Sequence, residues 1–143
     1  MNWTYALNPD LAGPWDEVYP TDPTVGYLYV MAFDSGWTKV GRTTDWPKRR
    51  NSHMSTFRRL GWELSQDPWK SCVVPRAELG VIEKRLHAEA WRTSDRSIFN
   101  PRVAGLGRDA SKPAGIELFR GCSFDYLVAF ADVLAMTDAL ALV

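Results

Sequence analysis

Two short, mainly hydrophobic segments with a polar turn between them predict a pair of strands early in the chain. They cover about 26–33 and 37–43 and contain tyrosine, valine and threonine, which favour strands. The sequence between them, Asp34-Ser35-Gly36, is typical of a tight turn. The pattern therefore predicts a β-hairpin.

A helix should follow the hairpin directly. Thr44 or Asp45 can cap its first turn, because both side chains accept hydrogen bonds from backbone N–H groups. Pro47 suits the first helical positions, where its missing N–H costs nothing. The sequence therefore predicts a helix at about 46–60.

The rest of the chain predicts further strands and helices separated by loops. Residues 103–115 are polar and rich in glycine, which predicts a loop able to wrap a ligand. The other predicted elements are a strand at 69–74, a helix at about 76–92, a short strand at 116–120 and a last helix, capped by Ser123, that begins at 124.

The length and composition predict one domain with a single core. The chain has 143 residues, of which 45% are hydrophobic and 13% aromatic, so it can bury a sizeable core. Residues 1–25 form an acidic, aromatic N-terminal arm, 26–120 the main domain, and 121–143 an apolar helix packed on the domain or on a partner.

The chain has no net charge, but its charges are segregated. Residues 1–38 contain five acidic and no basic residues, whereas 39–59 contain seven lysines or arginines and one acid. A local cluster of cations attracts phosphate groups, so this segment favours nucleic-acid binding. The alternative is an ordinary solvated helix face.

The cysteines and the termini indicate a cytoplasmic protein without a membrane span. Cys72 and Cys122 stand fifty residues apart and form neither a disulfide framework nor a zinc motif. No lysine or arginine precedes Lys39, so no secretory signal is expected. The apolar C-terminal stretch contains three aspartates, which argues against a membrane span.

Polar residues on the inward face of the first predicted helix are candidates for a site. At about 100° per residue, Arg49 and His53 lie on the side of the apolar stripe. Inward cations need a partner or a cleft, although an arginine extending from a core margin to solvent is an equal alternative. The apolar stripe consists of Trp46, Phe57 and Leu60.

The second predicted helix places an acid in a similar position. Glu83 lies at the edge of the apolar stripe and His87 flanks it one turn later. A single carboxylate can hold Mg²⁺ when water and phosphate fill its other positions. The alternative is a structural ion pair between Glu83 and Arg49. Glu117, on the short strand, is a weaker candidate for the same cleft.

The order of these residues resembles the GIY-YIG nuclease superfamily, over about residues 25–120. The similarity is greatest to the branch whose second motif is K-[IV]-G, here Lys39-Val40-Gly41, and whose metal helix reads E-x-x-L-H. The residues that carry the resemblance are Tyr29, Gly41, Arg49, His53, Glu83-Lys84-Arg85-Leu86-His87 and Glu117-Leu118-Phe119.

The resemblance implies an α/β (α+β) fold, a mainly antiparallel three-stranded sheet flanked by helices, and a metal-dependent endonuclease. Glu83 would hold Mg²⁺ or Mn²⁺, and Arg49 would stabilise the phosphoryl charge. Tyr29, with His53, would activate water. The ordinary pKa of tyrosine is about 10, so a tyrosine base needs a nearby positive charge that lowers this pKa. Lys39 and Arg42 can supply that charge.

Lys39 stands where the superfamily usually carries a second tyrosine, and its amine can lower the pKa of a neighbouring phenol or bind the leaving oxygen.

Nucleic acid, with DNA preferred, is the expected partner, and a homodimer or protein contact through the last helix is a further expectation. The residues expected to bind nucleic acid are Arg42, Lys48, Arg50, Arg58 and Arg59. A non-catalytic binding module that uses the basic 39–59 face is the alternative function.

Overall fold

The computed structural model of the protein describes residues 23–95 and 118–140. Most of the predicted N-terminal arm, the predicted loop 103–115 and Glu117 lie outside these residues. The strands are β1 (Val25–Ala32), β2 (Trp37–Thr43), β3 (Trp69–Lys70), β4 (Val74–Pro75) and β5 (Leu118–Arg120). The helices are α1 (Trp46–Arg58), α2 (Arg76–Thr93) and α3 (Phe124–Leu140).

The strands form one antiparallel sheet of five strands, and the fold is α+β. The order is β3-β1-β2-β5, and β4 pairs with β1 beside β3. The predicted hairpin is confirmed, with Tyr29 opposite Gly41 and Met31 opposite Lys39. The expectation of three strands is wrong, because each edge of the hairpin gains additional short strands.

The predicted strand 69–74 is divided into β3 and β4 at Ser71. The backbone N–H of Ser71 donates to the carbonyl of Leu28. In return the N–H of Leu28 donates to the Ser71 hydroxyl, at 2.9 Å, instead of to a backbone carbonyl. This side chain therefore replaces one rung of the backbone ladder in a buried position, and the strand is interrupted there.

The two faces of the sheet pack against different helices because side chains alternate along a strand. Leu28, Val30 and Val40 join the buried residues of α2 and α3 in one cluster. Tyr29 and Met31 point the other way and join the buried residues of α1. Helices α1 and α2 therefore lie on opposite faces of the sheet.

Helix α1 begins as the sequence predicts. The carboxylate of Asp45 accepts from the N–H of Lys48 at 3.2 Å, and proline occupies the first turn. The helix ends at Arg58 and not at 60, and Gly61 then adopts φ +80. This left-handed backbone, which glycine adopts without strain, reverses the chain so that Trp62 stacks on Phe57 at 5.5 Å.

Helix α3 packs on the sheet through one face and exposes hydrophobic residues on the other. Leu127 and Ala131 are fully buried in the core cluster, whereas Val133 and Met136 are exposed. Ser123 caps the helix, as predicted, by accepting from the N–H of Tyr126. In the described part of the chain, none of the helices combines the length and apolar character that a bilayer crossing requires.

Candidate functional site

Gly41 allows the phenol of Tyr29 to lie flat across the neighbouring strand. The two residues are directly opposite in the antiparallel register. A Cβ atom at position 41 would lie 2.5 Å from the Tyr29 Oη atom and 2.7 Å from its Cζ atom. The glycine is therefore required for close approach, whereas its backbone conformation is ordinary.

The Tyr29 hydroxyl makes a direct hydrogen bond with His53. The Oη to Nε2 distance is 2.8 Å, and both side chains are almost fully buried. Burial, together with the positive charges of Lys39 and Arg49, lowers the pKa of His53 to about 3. The imidazole is consequently neutral near pH 7, so one of its nitrogens can accept a hydrogen bond from the Tyr29 hydroxyl.

The pKa of Tyr29 is raised well above its ordinary value of about 10. Burial is the largest cause and the negative charge of Glu83 adds to it, while Arg49 acts in the opposite direction. Desolvation of the phenolate exceeds the attraction of Arg49, and the cationic help expected from Lys39 and Arg42 stays a prediction.

Lys39 influences the histidine of this pair. Its side chain is buried opposite Met31, and the Nζ group donates to the carbonyl of Val40 at 3.0 Å. Its charge is the second largest cause of the low pKa of His53. Lys39 thus helps to keep His53 neutral, which is a different effect from the one predicted on Tyr29.

Arg49 and Arg50, which both lie near the apolar stripe in the helical projection, have different environments in the structure. His53 is buried as predicted, but Arg49 is exposed and Arg50 is only 3% exposed. Arg50 lies about 40° from Trp46 around the helix, whereas Arg49 lies about 60° away on the other side. The inward prediction for Arg49 is wrong, although its charge still reaches Tyr29 and His53.

The burial of Arg50 also removes it from the expected nucleic-acid face. Its Nε and Nη2 groups donate to the Oδ1 atom of Asn51. A buried guanidinium needs such acceptors because the loss of water is costly. The side chain is therefore buried, whereas the expected contact with nucleic acid needs it exposed.

Glu83 is held by a different arginine from the one that the sequence suggested. Its Oε1 atom lies 3.4 Å from the Nε atom of Arg42, and its Oε2 atom lies 3.9 Å from the Nε2 atom of His87. The alternative of a structural pair with Arg49 is replaced by this pair with Arg42. His87 is partly buried, with its ring edge-on to Phe119 at 5.7 Å.

Gly80 is a residue of this site that sequence reasoning missed. A Cβ atom there would lie 2.9 Å from the Nη1 atom of Arg42, so the guanidinium lies directly over the glycine. Glycine within a helix costs roughly 1 kcal/mol relative to alanine, and such a residue usually has a packing reason. That cost is the signal that could have directed attention to position 80.

Glu83 is suited to a divalent metal that takes most of its ligands from water and phosphate. In residues 23–95 and 118–140, no three histidine, cysteine or acidic side chains are grouped as a metal would require. Glu83 offers one partly exposed carboxylate. Magnesium commonly takes one or two carboxylates and completes its octahedron with water and phosphate oxygens, so a single acid is a suitable protein ligand.

The other basic residues of the expected nucleic-acid face lie along α1 and at its C-terminal end. Lys48, Arg58 and Arg59 are exposed, as expected for a solvated or nucleic-acid-binding face, and Arg58 pairs with Glu63 at 3.6 Å. Arg58 lies about 180° around the helix from Arg49. A shallow groove of about 420 Å³ on this side is lined by Asn51, Met54, Ser55, Arg58 and Arg59.

The low pKa of His53 predicts a specific dependence of stability on pH. The folded pKa of about 3 is below the unfolded value of about 6.5. The stabilisation is complete above pH 6.5 and is lost as the pH falls toward 3, by roughly 1.4 kcal/mol for each unit. Urea unfolding of wild type and His53→Gln between pH 7 and 4.5 should therefore give a shallower slope for the variant; parallel curves would contradict the assignment.

The comparisons with known proteins add no family to these observations. No protein-family model matches the chain, and neither a curated protein nor a solved structure matches it. The site is therefore interpreted from its own geometry and charge.

Proposed function

We propose that the protein is a divalent-metal-dependent endonuclease that hydrolyses phosphodiester bonds, with DNA as the preferred substrate. The observation that carries the proposal is the buried hydrogen bond of 2.8 Å between His53 and the Tyr29 phenol, which lies over Gly41. Arg49 comes from α1 and Glu83 from α2, and both alter the pKa of Tyr29. A phosphate needs a cation, a metal ligand and a group that positions water, and this arrangement supplies all three types.

The exposure of Arg49 is favourable for this function. A phosphoryl oxygen can reach its guanidinium without displacing the core, while the charge still acts on the buried Tyr29–His53 pair. Arginine can bind two phosphate oxygens at once and stabilises the charge that develops on them during hydrolysis. We assign Arg49, and not the buried Arg50, to this role.

Tyr29 and His53 together would orient the attacking water. A buried phenol with a raised pKa is a poor base on its own. Its oxygen, held by the hydrogen bond to the neutral imidazole 2.8 Å away, can instead accept a hydrogen bond from the attacking water and orient it. Lys39 helps to keep that imidazole unprotonated before the reaction.

Glu83 is the residue that would hold Mg²⁺ or Mn²⁺. When bound, the metal would polarise the scissile phosphate and stabilise the charge on its oxygens. The partly exposed carboxylate already lies close enough to Tyr29 to raise its pKa. The other members of the expected nucleic-acid face that remain exposed, Lys48, Arg58 and Arg59, would add phosphate contacts away from the reacting centre.

A second copy of the chain would allow both strands of a duplex to be cut. One site cleaves one strand at a time, so a monomer should mainly nick. The exposed Val133 and Met136 on α3 support a contact with a second copy or another protein through this helix.

The alternative function is a non-catalytic module that binds nucleic acid or an acidic protein through the basic 39–59 face. The groove containing Arg58 and Arg59 favours it, because this groove lies on the other side of α1 from Arg49. Such a module would bind in a salt-dependent way, and chelation of divalent metal would not affect it.

Plasmid nicking distinguishes the two functions. With Mg²⁺ or Mn²⁺ the wild-type protein should nick supercoiled DNA, and EDTA should stop it. Arg49→Ala should lower the single-turnover rate about a hundredfold to a thousandfold, whereas Arg85→Ala, an exposed cation on α2 outside the expected nucleic-acid face, should change it no more than a few-fold. Salt-dependent binding without cleavage in any metal would favour the binding module.

A further inference from the structure

Arg42 occupies the solvent side of the Glu83 carboxylate. It follows Gly41 on β2, so its side chain points to the α2 face of the sheet, away from that of Tyr29. Its guanidinium lies over Gly80 and contacts Oε1 of Glu83 at 3.4 Å. The Arg42 side chain is 49% exposed and the Glu83 side chain 24% exposed, so an anion arriving from solvent meets the arginine first.

The chemistry of the pair makes it exchangeable. A partly exposed arginine–carboxylate pair contributes at most about 1 kcal/mol. A phosphodiester offers the same guanidinium two oxygens in a geometry that arginine binds well. Incoming nucleic acid can therefore displace the carboxylate from Arg42 at little cost, and this releases Oε1.

We propose that Arg42 is a positioning residue that couples nucleic-acid binding to cation binding. Without nucleic acid it pairs with Glu83 and competes with the divalent cation for Oε1. When a phosphate enters, Arg42 pairs with the phosphate and Glu83 becomes free to ligate the cation. Gly80 provides the space in which the guanidinium lies while it is paired with Glu83. This inference rests on the proposed metal-dependent function.

The coupling should be measurable without any cleavage. The competing pair should weaken Mn²⁺ binding by about fivefold in the absence of nucleic acid, the equivalent of the contribution of an exposed pair. Removal of the competitor should therefore strengthen Mn²⁺ binding to the free protein.

Two variants separate the contact from the simple effect of charge. Arg42→Gln removes the charge and the contact together. Gly80→Ala keeps the charge, but its Cβ atom would lie 2.9 Å from Nη1 and must move the guanidinium; alanine is also the better helix former. Arg85→Gln, an exposed cation about 200° around α2 from Glu83, is the matched control for loss of charge.

The measurement is a Mn²⁺ titration of the full chain, followed by electron paramagnetic resonance of the free ion. We expect about fivefold tighter binding in Arg42→Gln, a shift in the same direction in Gly80→Ala, and no comparable change in Arg85→Gln. Wild-type affinity in Arg42→Gln would overturn the proposal. An equal increase in Arg42→Gln and Arg85→Gln, with none in Gly80→Ala, would also overturn it, because only charge would matter.

Failure of this inference differs from failure of the proposed function. If Glu83→Gln abolishes Mn²⁺ binding while Arg42→Gln leaves it unchanged, the metal site stands and the role of Arg42 falls. If Glu83→Gln binds Mn²⁺ as wild type does, with and without DNA, Glu83 is not the ligand and both proposals fall.

Discussion

Replacement of Glu83 by glutamine should lower the rate of metal-dependent DNA cleavage by about a thousandfold or more. The substitution keeps the shape of the side chain but removes its charge, and with it the anionic ligand for a divalent cation. The loss of metal-assisted charge stabilisation is expected to raise the barrier by several kcal/mol. The rate should be measured under single-turnover conditions with saturating protein.

The fold of this variant should change little. Glu83 lies at the margin of the core, and only its exposed ion pair with Arg42 and the approach of His87 are affected. Glu78→Gln, an exposed acid in the first turn of the same helix, is the matched control and should cleave like wild type. Equal cleavage by Glu83→Gln and Glu78→Gln would exclude Glu83 as the catalytic metal ligand.

Tyr29→Phe should lower cleavage by about a hundredfold to ten-thousandfold. The ring would still fill the space over Gly41, but the oxygen that orients water and is hydrogen-bonded to His53 would be absent. The lost buried hydrogen bond should also cost roughly 1 kcal/mol of unfolding free energy. Rates should therefore be compared at a temperature at which both proteins are fully folded.

Tyr27→Phe controls for this change. Tyr27 is two residues earlier on the same strand and points to the same face, and its ring lies beneath the Nζ group of Lys70 at 4.8 Å. It should retain cleavage within a few-fold of wild type. A Tyr29→Phe protein that cleaves as fast as Tyr27→Phe would show that the phenol oxygen has no part in the reaction.

Local sequence signals determine the parts of the fold that could be predicted. The hairpin follows from two hydrophobic segments around a polar turn, and α1 from the cap at Asp45 with Pro47 behind it. Signals of this kind act within a few residues, so no knowledge of the tertiary structure is needed to use them. The position of Tyr29 opposite Gly41 follows from the hairpin register once the turn is known.

Long-range packing determines the features that could not be predicted. The division of the strand at Ser71 depends on a hydroxyl that meets the N–H of Leu28, which is 43 residues away in the chain. The pairing of Glu83 with Arg42 likewise depends on how α2 lies on the sheet. Both contacts join segments whose relative position the local pattern leaves open.

The difference between Arg49 and Arg50 shows the limit of a helical projection. The two residues lie on opposite margins of one apolar stripe, about 60° and about 40° from Trp46. A small rotation of the helix decides which of them is buried, and tertiary packing sets that rotation. The projection identified the correct helix face and His53, but it could not select between adjacent arginines.

The central claim is that Glu83, Arg49 and Tyr29 meet at one scissile phosphate. A crystal structure with Mn²⁺ and a short DNA duplex, in which the anomalous signal of Mn²⁺ locates the ion, tests it most directly. We expect an anomalous peak roughly 2.0–2.3 Å from a Glu83 carboxylate oxygen, with a phosphate oxygen in the same coordination shell, Arg49 on that phosphate and the Tyr29 oxygen facing it. A peak remote from Glu83, or DNA bound only along Arg58 and Arg59, would contradict the account.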